Sequence, residues 1–350
     1  MRSVVITRMD NDGDVLLAGP AIRAVAARDR VILLVAPSGE QAARLLPGVH
    51  DLLVWPCPWT GFEPPPVDRR STNTLVDALA LSRLGAAFIL TSYHQSPLPM
   101  ALLLRMAGIG WIAAASEDYP GSLLDLRHRP EPLHEVERSL SLVRAAGYEL
   151  PDGDDGRLLV KRTAPGNLPD GDGGLPAGPT PGGEPPDGPF VVVHPGASVH
   201  ARAADPRRAA ELVRALSAAG HQVVVTGSGR ERALTAMVAG SNGIDLGGRT
   251  GYGQLAALLR AASCVVVGNT GPAHLAAAVG TPVVSLFAPV VPSQSWAPWR
   301  VPYVLLGDQE ASCRDSRARE CPVPGHPCLN SISPEEVVVA VRKLIEEAAG

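Results

Sequence analysis

The 350-residue chain reads as an α/β protein made of two doubly wound domains in tandem. Three observations predict this. Hydrophobic runs of strand length alternate with Ala- and Leu-rich helical stretches. The runs are continuous in Val, Ile and Leu, the mark of parallel strands buried on both faces. The pattern breaks over Ala164–Pro189, where eight Gly and eight Pro fill 26 positions with almost no apolar residue. Such a segment cannot bury enough surface to offset its ordering entropy, so it is expected to be a flexible linker. The expected domains are then 1–163 and 190–350, each of ordinary size.

In the first domain the strand candidates are Ser3–Thr7, Val31–Ala36, Ala87–Thr91 and Gly110–Ala114. Val15–Ala27 and Gly39–Leu46 have helical character, and Leu133–Gly147 has the period of an amphipathic helix ending on a C-capping glycine. Pro20 breaks the first of these helices: the helix kinks there, or begins near Gly19 with Pro20 at its first position. Leu98–Ala115 is apolar but interrupted by Arg105, Gly108 and Gly110, so it predicts a buried helix and a strand rather than a membrane span. In the second domain, Phe190–His194, Gln222–Thr226, Cys264–Val267 and Pro282–Phe287 read as strands. Arg207–Ala219, Arg230–Ala239, Gly253–Ala262, Pro272–Val279 and Pro334–Ala349 read as helices, the last with Ser333 as N-cap and Pro334 at its first position.

Composition narrows the function. A formal net charge of −4 and no polybasic run argue against nucleic acid and against an electrostatic grip on a bilayer. Lys161 and Lys343 are the only lysines, so 29 of the 31 basic residues are arginine. A cation needed for phosphate is therefore expected to be an Arg, which binds oxygens bidentately. The apolar run Val4–Ile6 is too short for a signal peptide, and Arg8, Asp10 and Asp12 follow at once. A cytoplasmic protein is expected, with at most peripheral contact at the inner face of the plasma membrane. Five cysteines, an odd number, fit a reduced compartment. Cys313, Cys321 and Cys328 with His326 have the composition of a Cys₃His site but not its short spacings, so no metal site is assigned.

Four loops can carry chemistry, because ligands in doubly wound sheets bind at the carboxyl ends of the strands. Arg8–Asp14 joins the first strand to its helix and places Asp14 at a helix N-terminus, as a helix cap or as a catalytic carboxylate. His194-Pro195-Gly196-Ala197-Ser198 can turn backbone N–H groups toward an anion, with Arg202 supplying charge. Gly227-Ser228-Gly229 invites a dinucleotide reading but lacks the spaced third glycine, since Arg232 stands there; Glu231 beyond it either accepts ribose hydroxyls or favours a helix start. Gly268-Asn269-Thr270-Gly271-Pro272-Ala273-His274 opens a helix and offers a diphosphate cradle, with His274 one turn in.

In order and spacing, these motifs resemble glycosyltransferase family 9, the group that includes the ADP-heptose:lipopolysaccharide heptosyltransferases. The residues are Arg8, Gly13-Asp14-Val15-Leu16 and Pro20-Ala21-Ile22-Arg23, then His194–Ser198, then Gly268–Ala276 with Gly280-Thr281-Pro282. The resemblance runs nearly the whole chain. It implies a GT-B architecture, two Rossmann-like domains facing across a cleft, with the last helix packing back on the N-terminal domain. It also implies an inverting, metal-independent transfer of a sugar, heptose above all, from an ADP-sugar to a hydroxyl of a glycan, glycolipid or metabolite, with no cofactor beyond that donor. Carried over residue by residue, Asp14 is the catalytic base. Arg202, Ser198, Thr270, Gly271 and His274 bind the donor diphosphate, and Glu231 and Asn269 the nucleotide and sugar. Two departures stand out. The family usually has Asp where Asn269 stands, and a Trp-Pro where this chain has Ala204-Asp205-Pro206. They leave open a non-catalytic sugar-nucleotide-binding protein; the Gly227–Gly229 loop leaves open a dinucleotide-dependent oxidoreductase or epimerase.

Overall fold

The computed structural model describes residues 2–61, 63–92, 94–129, 131–161 and 186–349. Most of the expected linker, 164–185, lies outside them. The chain divides into two units, Met1–Lys161 and Arg162–Gly350.

The first unit is built on six strands, β1 (Ser3–Arg8), β2 (Arg30–Val35), β3 (Val49–Val54), β4 (Ala86–Leu90), β5 (Ile112–Ala115) and β6 (Leu126–His128). They form one sheet in the order β3-β2-β1-β4-β5-β6, with every pairing parallel. The continuous apolar runs expected to be strands are its centre: Val4, Val5 and Ile6 of β1 and Ala86 to Phe88 of β4 have no exposed surface. Helices Gly19–Ala26, Leu98–Met106 and Glu135–Ala145 contribute apolar faces to the core. Pro20 acts as anticipated. The first helical stretch is split into Asp12–Leu17 and Gly19–Ala26, with Pro20 in the first turn of the second. There its missing N–H is one the helix start leaves unpaired anyway.

The second unit repeats the plan with β7 (Phe190–His194), β8 (Gln222–Val225), β9 (Ile244–Asp245), β10 (Cys264–Gly268), β11 (Val283–Leu286) and β12 (Tyr303–Leu306). Their order is β12-β11-β10-β7-β8-β9, again all parallel. Counted from the first strand of each unit, the two sheets have the same order, the doubly wound arrangement in which the first and fourth strands lie side by side. The closing helix Pro334–Ala349 starts on the expected cap: Glu336 N donates to Ser333 Oγ at 3.2 Å and Ser333 N to Glu336 Oε2 at 2.7 Å. Val337, Val341 and Leu344 join the core of this second unit. No helix among the described residues is long and apolar enough to cross a membrane.

Where first and fourth strands meet, the chain winds away in opposite directions and leaves a crevice at their carboxyl ends. The loops after β1 and β4, and those after β7 and β10, open there. Of the residues expected to act as base or to bind the donor, all but Glu231 lie on these loops or on the first turn beyond them.

Candidate active site

In the first unit the loop after β1 is held from all sides. Thr60 Oγ1 donates to Met9 O at 2.9 Å, and Ala42 N donates to Asp12 Oδ1 at 2.9 Å. Asp14 follows in the first turn of the helix Asp12–Leu17, where the helix dipole favours a carboxylate. The centre of the loop is Arg8, the last residue of β1. Its Nη2 lies 3.2 Å from Asp14 Oδ1, 3.1 Å from Glu135 Oε2 and 3.0 Å from Ser92 Oγ. Its Nε pairs with Asp10 Oδ2 at 2.8 Å, and Gln95 Nε2 donates to Asp10 Oδ1 at 2.6 Å. Glu135 Oε1 meets Arg138 Nη1 at 3.0 Å.

Burial sorts these groups. The Arg8 and Glu135 side chains are each 1% exposed, Asp10 is 9% exposed and Asp14 22%. Asp14 is thus the most exposed carboxylate of the cluster. Burial opposes the charge on Arg8, but Asp10, Glu135 and Asp14 outweigh it and hold the guanidinium above its usual range. Burial pushes Asp10 up to about 6, against the pull of Arg8 and with help from Asp14. Asp12 is also raised to about 6, by burial. Glu135 is raised by burial against the pull of Arg8 and Arg138. Asp10, Glu135, Ser92 and Gln95 were not named as site residues from sequence. For Asp10 the signal was present, two residues beyond Arg8 in the same loop; for Glu135, 127 residues away, there was none.

In the second unit three strand ends converge. The helix Gly271–Val279 begins at the end of β10 with Thr270 as N-cap in extended conformation. The Thr270 hydroxyl oxygen is buried with no hydrogen-bond partner among the described residues. An orphaned buried hydroxyl beside the unpaired N–H groups of a helix start is the arrangement an anionic ligand completes. His274, one turn in, is buried. Arg202 is half-buried in the turn His200–Arg202, and the turn lies directly on the end of β10: a Cβ at Gly268 would sit 2.6 Å from Arg202 O. Gly268 therefore permits the approach that brings the Arg202 turn to the strand end from which the Thr270 loop leaves. Ala201 N donates to Arg319 O at 2.9 Å, tying the turn to the tail of the unit. Ser198 is exposed in the loop before it.

Glu231 and Asn269 have clear intramolecular work. Glu231 Oε2 accepts from Ser228 N at 2.7 Å, capping the turn Gly229–Glu231. Its carboxylate packs on the His194–Ser198 loop, so that a Cβ at Gly196 would lie 1.9 Å from Glu231 Oε1. Asn269 is buried, with Nδ2 donating to Ala288 O at 3.4 Å and Ala288 N donating to Oδ1 at 3.3 Å. An Asp could accept from Ala288 N but could not donate to its carbonyl, so the Asn matches the strand end it joins. The Gly227–Gly229 loop follows β8, away from the β7/β10 crevice, and carries a capping box in place of a phosphate turn. His194 is buried, with Nδ1 3.0 Å from Thr226 Oγ1, and burial lowers its pKa against the pull of Glu231. Cys313, Cys321 and Cys328 are free thiols; Cys328 is hydrogen-bonded to Cys313 and raised to about 12, chiefly by burial. Among the described residues no group of three or more His, Cys, Asp or Glu could hold a metal ion.

The family model described as glycosyltransferase family 9 (heptosyltransferase) matches residues 90–326, more than half of the chain. The chain belongs to glycosyltransferase family 9. A curated relative, the lipopolysaccharide heptosyltransferase 3 of Escherichia coli, is 30% identical over 165 residues, 45% of this chain and 47% of that protein. The matched stretch thus spans about half the relative's length. Among solved structures, the ADP-heptose lps heptosyltransferase II of E. coli is 19% identical with a TM-score of 0.71, covering 100% of both chains. The dodecameric iron-containing heptosyltransferase TibC, in complex with ADP-D-beta-D-heptose, is 15% identical with a TM-score of 0.53, covering 99% of this chain and 77% of the other. These likenesses establish the fold of this family 9 member: the GT-B pairing of two Rossmann-like domains, as its sequence resemblance implied.

Proposed function

We propose that this family 9 protein is an inverting glycosyltransferase. It moves a sugar, heptose by the likeness to its relatives, from an ADP-sugar to a hydroxyl of a glycan, glycolipid or metabolite. The observation that carries the donor half is the Thr270 hydroxyl, buried without an intramolecular partner beside the helix start at Gly271, with the Arg202 turn closed on the same strand end.

The chemistry follows from the groups present. The acceptor oxygen forms a bond to the anomeric carbon as the bond from that carbon to the diphosphate oxygen breaks. The electron pair leaves with the diphosphate, whose charge is met by Arg202, Thr270, His274 and the helix N-terminus. The acceptor proton passes to Asp14. A pre-ionised leaving group needs no protein acid, and an Arg together with a helix start supplies the charge a divalent cation would otherwise bring, so we infer a metal-independent transfer. The protein acts in the cytoplasm, reaching membrane-borne acceptors at the inner face. Ser198 adds a donor to the phosphates, while Glu231 and Asn269 shape the donor pocket through the loops they hold and face its nucleotide and sugar.

Thr270→Val tests the donor site. Loss of one hydrogen bond to a charged phosphate weakens ADP binding about tenfold, or roughly 1.5 kcal/mol. Thermal stability stays the same or rises, because the variant deletes a buried hydroxyl that has no partner in the unliganded protein. Calorimetric titration with ADP beside a melting curve measures both. Unchanged ADP affinity would remove Thr270 from the donor site.

A further inference from the structure

A single Arg8 Nη2 group, with two hydrogens, faces three acceptors: Asp14 Oδ1 at 3.2 Å, Glu135 Oε2 at 3.1 Å and Ser92 Oγ at 3.0 Å. Asp14 and Glu135 therefore compete for it. Glu135 is itself drawn the other way by Arg138, at 3.0 Å from its second oxygen. The result is a line of alternating charge, Arg138–Glu135–Arg8–Asp14, three of whose members are 11%, 1% and 1% exposed and whose last, Asp14, is 22% exposed. Glu135 is the first residue of the helix Glu135–Ala145, where the dipole supports its negative charge.

We propose that Glu135 is a positioning residue for the transfer, acting on Asp14 through Arg8. It limits the share of the guanidinium that Asp14 receives, and so sets how firmly that carboxylate is held as it takes the acceptor's proton. The inference rests on the reading of Asp14 as the base. Without Glu135, Arg8 would close fully on its remaining carboxylates, and a full ion pair lowers a carboxylate's proton affinity. Without Arg138, Glu135 would claim more of Arg8 and Asp14 would receive less, with the opposite effect.

The other charged and titratable groups around the cluster have partners of their own. Asp10 is held on Arg8 Nε and by Gln95. Asp12 is bonded to Ala42 N and is close enough to Glu40 to be raised by it. His134 Nδ1 accepts from Val136 N, and His128 Nε2 lies 2.9 Å from Ser141 Oγ.

The test is kcat against pH, read as ADP release from ADP-heptose, for the wild type, Glu135→Gln, Arg138→Gln and Asp14→Asn, with ADP affinity measured by calorimetry. Glu135→Gln is expected to lower kcat about tenfold near neutral pH and to move the acid limb down by about half to one pH unit. Arg138→Gln is expected to move that limb up. Both should bind ADP within about twofold of wild type, since the donor loops are elsewhere in the chain. A purely structural role for Glu135 would reduce the amount of active protein without moving the limb. Arg138 lies at the edge of the cluster, so its variant carries the test if Glu135→Gln fails to fold. Limbs that stay in place, or that move the same way in both variants, overturn the proposal. If Asp14→Asn keeps wild-type turnover, the base reading has failed and the positioning role falls with it. If Asp14→Asn is inactive and the limbs do not move, only the positioning role is lost.

Discussion

Asp14→Asn is expected to cut turnover by about 10²–10⁴-fold, the usual worth of a positioned general base, and to leave ADP binding unchanged. The substitution is close to isosteric, and the Asn oxygen can still accept from Arg8 Nη2, which in the native protein lies 3.2 Å from Asp14 Oδ1. What disappears is the capacity to receive a proton. Asp14 belongs to the unit Met1–Lys161, whereas the Thr270 and Arg202 loops belong to Arg162–Gly350. A variant that loses transfer yet titrates normally with ADP separates the base from donor binding. Steady-state ADP release and calorimetry on one preparation give both numbers. Wild-type turnover in this variant would leave Asp14 with only its role at the helix start.

Arg8→Met is expected to have the largest effect on stability. Arg8 pairs with Asp10, Asp14 and Glu135 from a position with 1% exposure. Deleting one member of a buried charge network costs about 3–5 kcal/mol, because Asp10 and Glu135 stay buried without its counter-charge. In a domain of this size that is a drop in Tm of roughly 10 °C. The pH dependence has a definite sign. Asp10 is already raised from 3.8 to about 6, with burial as the main cause and Arg8 pulling against it. An acid raised in the folded state binds its proton more readily there than in the unfolded chain, so it destabilises the fold as pH rises through that window. Without Arg8 the opposing pull is gone and the window widens upward. The deficit of Arg8→Met should therefore be larger at pH 8 than at pH 5. Denaturant unfolding at the two pH values measures it; an equal deficit at both, or none, would show that Arg8 does not balance these carboxylates.

The strands at the centre of each sheet were readable because burial on both faces leaves an unbroken apolar run. Phe190–His194 was found with its bounds unchanged, and β1 differs only by the addition of Arg8. The edges were not readable. Strand β3 is the run Val-His-Asp-Leu-Leu-Val, with no buried residue, and β6 and β9 are three and two residues long. Strands so short and half-exposed leave little apolar signal to find. Helix Arg69–Leu81 buries only Leu75 and Leu79 and begins on polar residues, so its sequence looks like a loop. The same contrast governs the site. A strand end, a glycine turn and a helix start lie within a few residues of one another, so the Thr270 and Asp14 loops could be picked out directly. The balance around Arg8 could not, because Glu135 and Ser92 reach it only once the sheet has formed. The bond from Ser228 to Glu231, three residues on, is the helix-start role that the sequence leaves open, whereas the bonds of Asn269 to Ala288 form only once neighbouring strand ends meet.

The transfer we propose for this family 9 protein takes a sugar from an ADP-sugar with inversion, using Asp14 and no metal. Water can stand in for the acceptor, so the most direct measurement needs none: ADP-heptose is incubated with the protein in the presence of EDTA, and the anomeric proton of the first sugar released is followed by time-resolved proton NMR. The predicted result is release of ADP and heptose in equal amounts, with the sugar appearing first in the anomeric configuration opposite to the donor's, at a rate that falls with Asp14→Asn. Retention of configuration, no release of ADP, or a rate lost in EDTA and restored by a divalent cation would contradict it.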